Sequence, residues 1–198
     1  PVGGGGLSIA VRRSYIDAIL AGVLRPEDRV LPRYYDGQIR WATGDERRSG
    51  AITTQAFFSL DQVTTRDATM NVGFARLAAQ YARRWGDTRL VVGPWLGRDV
   101  ISFEGGENPA NEADASSYRR ATLPFGARAT LTRDTGAVAL AGGVDLRGGR
   151  YTGMTITVND LDVPMTRTDA EWSSDLGFWT EATLRYGGRL VAKPGIRL

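Results

Sequence analysis

The chain has 198 residues, of which 25 are basic and 22 acidic, and its formal net charge is +3 at neutral pH. It contains neither cysteine nor histidine, which excludes disulfides, thiol catalysis, Ser-His-Asp catalysis and the usual zinc or iron–sulfur ligands. We therefore expect no enzyme activity and no cofactor, and we expect no nucleic-acid binding because the basic residues are scattered among acidic ones.

The N-terminal residues 1–6 include four consecutive glycines and are interpreted as a Gly-rich linker. No apolar run is long enough for a transmembrane helix, and residues 1–6 do not resemble a signal peptide. Residues 7–198 are interpreted as one unit, a transmembrane β-barrel segment, for the reasons that follow.

Apolar and polar residues alternate with a period of two along most of the chain, which favours β-strands over helices. In β-strand geometry, Ile52, Phe58 and Leu60 fall on one face while Gln55 falls on the other. The same pattern recurs at 35–41, 121–131, 138–147 and 176–185. It predicts nine strands, near 7–17, 32–43, 50–62, 71–85, 88–99, 118–132, 136–148, 173–186 and 189–198.

Short and long connections alternate between the predicted strands. The short ones lie at 43–50, 85–88, 133–136 and 187–188, and the longer polar ones at about 18–31, 63–70, 100–117 and 149–172. Such alternation is typical of outer-membrane barrels, and the strands reach the roughly nine to eleven residues that cross a bilayer. We predict an all-β fold: an antiparallel up-and-down transmembrane β-barrel segment of about nine strands, incomplete on its own.

Long polar side chains recur on the second face of these strands. In a transmembrane barrel this face meets a wet interior and the apolar face meets lipid. We expect most of the set to hold a plug domain or to order water. The predicted lumen- or plug-facing residues are Gln38, Arg40, Gln55, Arg76, Gln80, Arg120, Arg128, Asp145, Arg147 and Glu181.

Aromatic residues gather near the predicted strand ends, as in the interfacial girdle of a membrane barrel. Adjacent arginines such as 119–120 must face opposite ways on a strand, and those near strand ends can reach headgroup phosphates or pair with acidic neighbours. The predicted girdle consists of Tyr15, Tyr34, Tyr35, Trp41, Tyr81, Trp85, Tyr118, Trp172 and Tyr186.

Two segments resemble a known family. Residues 7–17 resemble the first barrel strand of TonB-dependent outer-membrane receptors, and residues 32–38 resemble the second strand at a compatible spacing. Residues 190–198 look like a further barrel strand. The matching residues are Arg12, Arg13, Tyr15, Asp17, Pro32, Arg33, Tyr34, Tyr35 and Asp36.

The resemblance implies a transport protein of the bacterial outer membrane, with a plugged 22-stranded barrel that is energised through TonB. This chain departs from the family because it matches neither the plug nor the TonB box, and because Gly37 stands where an aromatic residue is usual. An open sheet would also leave unpaired backbone groups in hydrocarbon, at several kcal/mol each. We therefore expect as partners outer-membrane lipid, further strands or another chain that completes the barrel, a plug domain and TonB.

Other interpretations of the pattern stay open. A small self-contained outer-membrane barrel or adhesin would need an even number of strands, and a soluble β-sandwich or lipocalin-like module would bury the apolar face. The acidic residues of the two long loops are expected to be solvated, because their spacing fits no calcium loop. These residues are Glu104, Glu107, Glu112, Asp114, Asp160, Asp162, Asp169 and Glu171.

Overall fold

The computed structural model describes residues 5–25, 30–66, 68–105, 116–158, 164–165, 170–186 and 190–198. Within them it contains one short helix and a set of mostly long strands. The helix is α1 (Ile16–Val23), and the strands are β1 (Gly6–Arg13), β2 (Leu31–Asp45), β3 (Gly50–Thr64), β4 (Ala68–Trp85), β5 (Thr88–Gly105), β6 (Ser116–Asp134), β7 (Val138–Val158), β8 (Pro164–Met165), β9 (Glu171–Tyr186), β10 (Leu190–Ala192) and β11 (Gly195–Arg197).

All strands belong to one antiparallel sheet in the order β1-β2-β3-β4-β5-β6-β7-β9-β10, with β8 paired to β7 and β11 paired to β9. Each long strand pairs with its neighbour in the chain, so the predicted up-and-down architecture is confirmed. The sheet does not close on itself. Its two edges are β1 on one side and β10 with β11 on the other.

The strand register brings the apolar residues of successive strands onto a single face. Residues directly opposite each other across an antiparallel pair share a face, and one such row runs through Ile39, Ala56, Leu77, Leu96 and Phe125. The apolar residues of the alternating segments 138–147 and 176–185 lie on this same face. We call it the apolar face and its opposite the polar face.

The sheet has no hydrophobic core within its described part. The only buried apolar residues there are Ala82 and Ala139, and no large side chain is fully buried. The chain exposes 14027 Å², whereas a compact soluble monomer of this mass exposes roughly 9,200 Å². No helix in the described residues is long and apolar enough to cross a membrane.

The first strand is shorter than predicted, because it ends at Arg13 and not at Asp17. Helix α1 replaces its predicted end, since 16–21 contains good helix formers and Asp17 lies in the first turn, where a negative charge is favourable. The Oγ of Ser14 accepts a 3.3 Å hydrogen bond from the Ile16 N–H just before the helix.

Three of the connections that were predicted to be long are partly strand in the structure. The loop predicted at 63–70 is mostly strand, and Thr65 closes the connection by exchanging hydrogen bonds with Ala68. Strands β5 and β7 continue to Gly105 and Val158, beyond their predicted ends. The predicted last strand is broken into β10 and β11 at 193–194, because proline cannot donate to the ladder.

Candidate functional site

The polar face carries the ten residues predicted from sequence. Their register positions place all of them on the face opposite the apolar one, while the compartment that this face meets stays a prediction. The ten are Gln38, Arg40, Gln55, Arg76, Gln80, Arg120, Arg128, Asp145, Arg147 and Glu181.

A first polar cluster joins strands β1 to β3. The Nε and Nη2 atoms of Arg12 donate hydrogen bonds of 2.9 and 2.5 Å to the Asp36 carboxylate. Its other oxygen accepts a 2.9 Å bond from the Ser59 hydroxyl. A cavity of about 420 Å³ beside this cluster is lined in part by Gln38 and Gln55, so the cluster presents amide groups beside a charged pair.

A second cluster on β4 and β5 combines charge with aromatic rings. Arg76 donates two hydrogen bonds, of 2.5 and 3.0 Å, to the Asp99 carboxylate. Its guanidinium carbon lies 5.6 Å from the Phe74 ring centroid and 5.9 Å from that of Trp95. Phe74 also meets Phe57 edge-to-face, with centroids 5.9 Å apart. The cluster is a partly aromatic patch on an otherwise polar face.

The sequence prediction included Arg76 but missed Asp99, Phe74 and Trp95. The sequence does show which residues of each strand share a face, because every second residue of a strand points to the same side. This alternation does not give the register between two strands, so the pairing of Arg76 with Asp99 required the structure.

A third cluster holds the C-terminal edge of the sheet. Asp145 is buried and accepts two hydrogen bonds from Arg128, and the Nη2 of Arg197 on β11 lies 3.7 Å from its carboxylate. Trp179 lines the adjoining cavity of about 310 Å³ with Glu181, and the indole N–H of Trp179 has no hydrogen-bond partner among the described residues. Three strands, β6, β7 and β11, therefore meet at one carboxylate.

The other predicted residues do not join these clusters. Arg40 lies opposite Gln55, Gln80 opposite Thr53, and Arg120 opposite Ile101. Arg147 lies opposite both Gly126 and Asp175 on its neighbouring strands. The polar face is therefore a series of separate clusters and single exposed side chains, which suits contact with a large surface better than enclosure of one small ligand.

Five of the residues that carry the family resemblance, Arg13, Tyr15, Asp17, Arg33 and Tyr35, lie together where β1, α1 and β2 meet. The Asp17 carboxylate is only 8% exposed and accepts a 3.0 Å hydrogen bond from Arg33. Its Oδ2 also lies 3.6 Å from Arg13, whose guanidinium carbon is 5.5 Å from the Tyr35 ring and 5.7 Å from the Tyr15 ring. Residues of segments 7–17 and 32–38 therefore contact one another, and these contacts attach α1 to the sheet.

The predicted aromatic girdle is divided between the two faces. Trp41, Tyr81 and Trp85 lie on the apolar face near the short turns at 46–49 and 86–87, an end of the sheet that we call the turn end. Tyr35 and Trp172 lie on the same face near the opposite end, the loop end. Tyr34 and Tyr118 lie on the polar face, Tyr15 precedes α1, and the side chain of Tyr186 is outside the described residues.

A row of polar side chains crosses the apolar face at the loop end. Arg33, Gln62, Asn71, Ser102 and Arg119 follow one another across five strands. The Gln62 amide donates a 3.0 Å hydrogen bond to Asn71, which donates a 3.4 Å bond to Ser102. This polar row marks where the apolar surface ends although the strands continue.

Within the described residues there is no group of three or more acidic side chains that could hold a metal ion. The acidic loop residues at 107–114 and 160–169 lie outside the described residues. Glu104 and Glu171 are described, and they lie on β5 and β9.

No family model, curated protein or solved structure matches the chain. The resemblance to TonB-dependent receptors therefore depends on the motif residues and their spacing.

Proposed function

We propose that this chain is part of the wall of an outer-membrane transport barrel of the TonB-dependent receptor type. In this proposal the apolar face meets lipid, the polar face meets a plug domain and the solute pathway, and further strands or another chain complete the barrel. The observation that carries the proposal is the limited height of the apolar surface.

Polar side chains bound the apolar face at both ends of the central strands. On β4 the apolar segment 73–81 lies between Asn71 and Arg83, and on β6 the segment 121–131 lies between Arg119 and Arg133. Both segments have the length of about nine to eleven residues that a tilted strand needs to cross a bilayer. The core-facing surface of a soluble sheet has no reason to stop at that height.

The strands themselves are much longer than this band. β4 and β5 each contain 18 residues, which span about 60 Å at 3.3 Å per residue. With a tilt of about 45° they rise about 40 Å, more than the roughly 30 Å of hydrocarbon. The polar ends of these strands, which begin at the row that contains Asn71 and Ser102, would therefore project into water.

A soluble module is harder to reconcile with the uncovered apolar face. The chain exposes about 5,000 Å² more than a compact monomer. If half of that area is apolar, covering it is worth on the order of 60 kcal/mol, several times the net stability of an ordinary domain. The transport role and the plug come from the family resemblance.

Spin labels test which medium covers the apolar face. The chain has no native cysteine, so Leu140→Cys and Phe178→Cys each create one labelling position on that face. In phosphatidylcholine vesicles we expect both labels to collide more with oxygen than with a water-soluble nickel chelate. Labels on the polar face at Ala141 and Trp179, each next to one of the first pair, should show the reverse.

Two outcomes would contradict the proposal. If the nickel chelate reaches Leu140 and Phe178 better than oxygen does, the apolar face meets water. If neither agent reaches them, the face is packed against protein, as in a sandwich. A monodisperse monomer purified without detergent would support the soluble alternative.

A further inference from the structure

Three exposed arginines lie at or near the loop end of the apolar surface. Arg98, Arg119 and Arg150 lie on β5, β6 and β7, and register places all three on the apolar face. No ion pair involves them in the part of the chain that the structure describes, in contrast to Arg13 and Arg33, which contact Asp17. We call these three the loop-end arginines.

Their neighbours are suited to the boundary between hydrocarbon and water. Arg150 lies directly opposite Trp172, and Arg98 lies opposite Ala75. A long arginine stem can lie along apolar surface while its charged end reaches the interface. Tryptophan is likewise enriched at this depth. The positions therefore combine an apolar environment for the arginine stem with a positive charge that has no ion pair among the described residues.

Arg119 also lies at a groove that contains hydroxyl groups. A cavity of about 580 Å³ is lined by Arg119 with Ser102, Ser117 and Thr152, and also by the acidic residue Glu104. The register between β6 and β7 shifts between Arg119 and Ala121, a bulge of the kind that redirects a side chain. A guanidinium beside hydroxyl groups is suited to a phosphate oxygen.

We propose that the loop-end arginines bind the phosphates of anionic lipid headgroups in the membrane leaflet at the loop end. The inference rests on the proposed function, because it requires the apolar face to meet lipid. Charge complementarity supports it, since three arginines without an ion pair among the described residues lie on three successive strands, Arg119 just beyond the apolar segment of β6 and the other two opposite residues near the loop end of the apolar segments. The bound species is the headgroup of an intact lipid, held by charge at the phosphate and by apolar contact below it.

The test compares two triple variants with the same change in charge. Arg98→Gln, Arg119→Gln and Arg150→Gln together remove the loop-end arginines. Arg40→Gln, Arg120→Gln and Arg147→Gln remove three exposed arginines of the polar face, which also have no ion pair among the described residues. Each protein is reconstituted in phosphatidylcholine vesicles, and the association of spin-labelled phosphatidylglycerol is compared with that of spin-labelled phosphatidylcholine.

We expect the unmodified chain to prefer phosphatidylglycerol by about fivefold or more, the effect of one surface arginine near an anionic headgroup. The loop-end variant should lose most of this preference, and the polar-face variant should keep it. Inorganic phosphate at tens of millimolar should reduce the preference only as far as an equal ionic strength of chloride does.

Three outcomes would overturn the inference: no preference in the unmodified chain, equal losses in both variants, or specific competition by inorganic phosphate, which would indicate a site for the free ion. The spin labels at Leu140 and Phe178 separate this failure from that of the proposed function. If they still report hydrocarbon, only the headgroup inference fails.

Discussion

Arg89 donates two hydrogen bonds, each of 2.8 Å, to the carboxylate of Glu46. This contact joins the turn between β2 and β3 to the start of β5, although β4 lies between them in the sheet. The backbone N–H of Arg84 also donates a 2.6 Å bond to the Glu46 carbonyl oxygen. Glu46 therefore connects the turn between β2 and β3 to both β4 and β5 at the turn end of the sheet.

The Glu46 contact makes stability depend on pH. The hydrogen bonds from Arg89 lower the pKa of Glu46 below its usual value. A carboxyl group whose pKa falls on folding stabilises the fold above its unfolded pKa, and this contribution disappears as the pH falls through the folded pKa. We expect Glu46→Gln to destabilise the chain by about 0.5 kcal/mol near neutral pH and to have no effect at low pH.

Urea unfolding in detergent micelles at several pH values would measure this. Arg48→Gln is the matched control, because Arg48 is exposed and lies 3.9 Å from Asp45 without a close contact. An equal loss at every pH in Glu46→Gln would contradict the prediction.

Two adjacent glycines on β7 should differ sharply in their tolerance of a methyl group. A Cβ atom at Gly143 would lie 2.7 Å from the carbonyl oxygen of Ala129 and 2.7 Å from the Trp179 ring. At Gly142 the nearest atom, the Trp179 carbonyl oxygen, would be 3.6 Å away, an ordinary contact. We expect Gly143→Ala to cost about 1–3 kcal/mol and Gly142→Ala to be neutral or slightly stabilising.

The free energy of unfolding of the two single variants would test this. If both variants lose the same amount, glycine is required on β7 for backbone reasons and not for the close approach of Trp179. Close packing therefore requires glycine at position 143 and not at position 142.

The sequence was sufficient to predict which residues share a face of the sheet, but not where the strands end. The faces of Ile52, Phe58 and Leu60 follow from a period of two, and the register confirms them. The predicted ends near 62 and 71 coincide with Gln62 and Asn71, where the apolar surface stops. Hydrogen bonding continues beyond these residues, because the backbone ladder does not depend on side-chain polarity.

The clusters of the polar face were less predictable for a related reason. The pairing of Arg128 with Asp145 depends on the length of the turn that sets the register of β6 on β7. Helix α1 was missed because residues 7–17 were interpreted as one strand, although Ile16 and Asp17 break the alternation of β1. In the structure Asp17 makes its contacts with Arg13 and Arg33 from a helical turn.

Asp17 should control the attachment of α1. It is the carboxylate that contacts both Arg13 and Arg33, and in the part of the chain that the structure describes its Oδ1 has no hydrogen-bond partner. Replacing it with Asn leaves two arginines without their counter-charge, at about 1–3 kcal/mol. We expect Asp17→Asn to release the helix from β2.

A spin label at Ile19, which is exposed on α1, would report the release as a narrower spectrum. Ser14→Ala is the control, because it removes only a 3.3 Å hydrogen bond at the start of the helix. If the label remains as immobile in Asp17→Asn as in the unmodified chain, the ion pairs do not hold α1.

Two of the arginine–aspartate pairs of the polar face should differ in coupling energy because they differ in exposure. The Arg76 side chain is 22% exposed and forms a two-pronged contact with both oxygens of Asp99. The Arg12 side chain is 81% exposed and contacts one oxygen of Asp36. Solvent screens the second pair, and the entropy of a fixed side chain opposes it.

Double-mutant cycles with glutamine and asparagine would give both coupling energies. We expect about 1–2 kcal/mol for Arg76 with Asp99 and less than about 0.5 kcal/mol for Arg12 with Asp36. Arg76→Lys should lose nearly as much stability as Arg76→Gln, because lysine keeps the charge but not the planar fork that contacts Asp99 and the two rings. Full retention of stability in Arg76→Lys would show that charge alone holds the cluster together, and equal coupling in both cycles would show that exposure does not decide it.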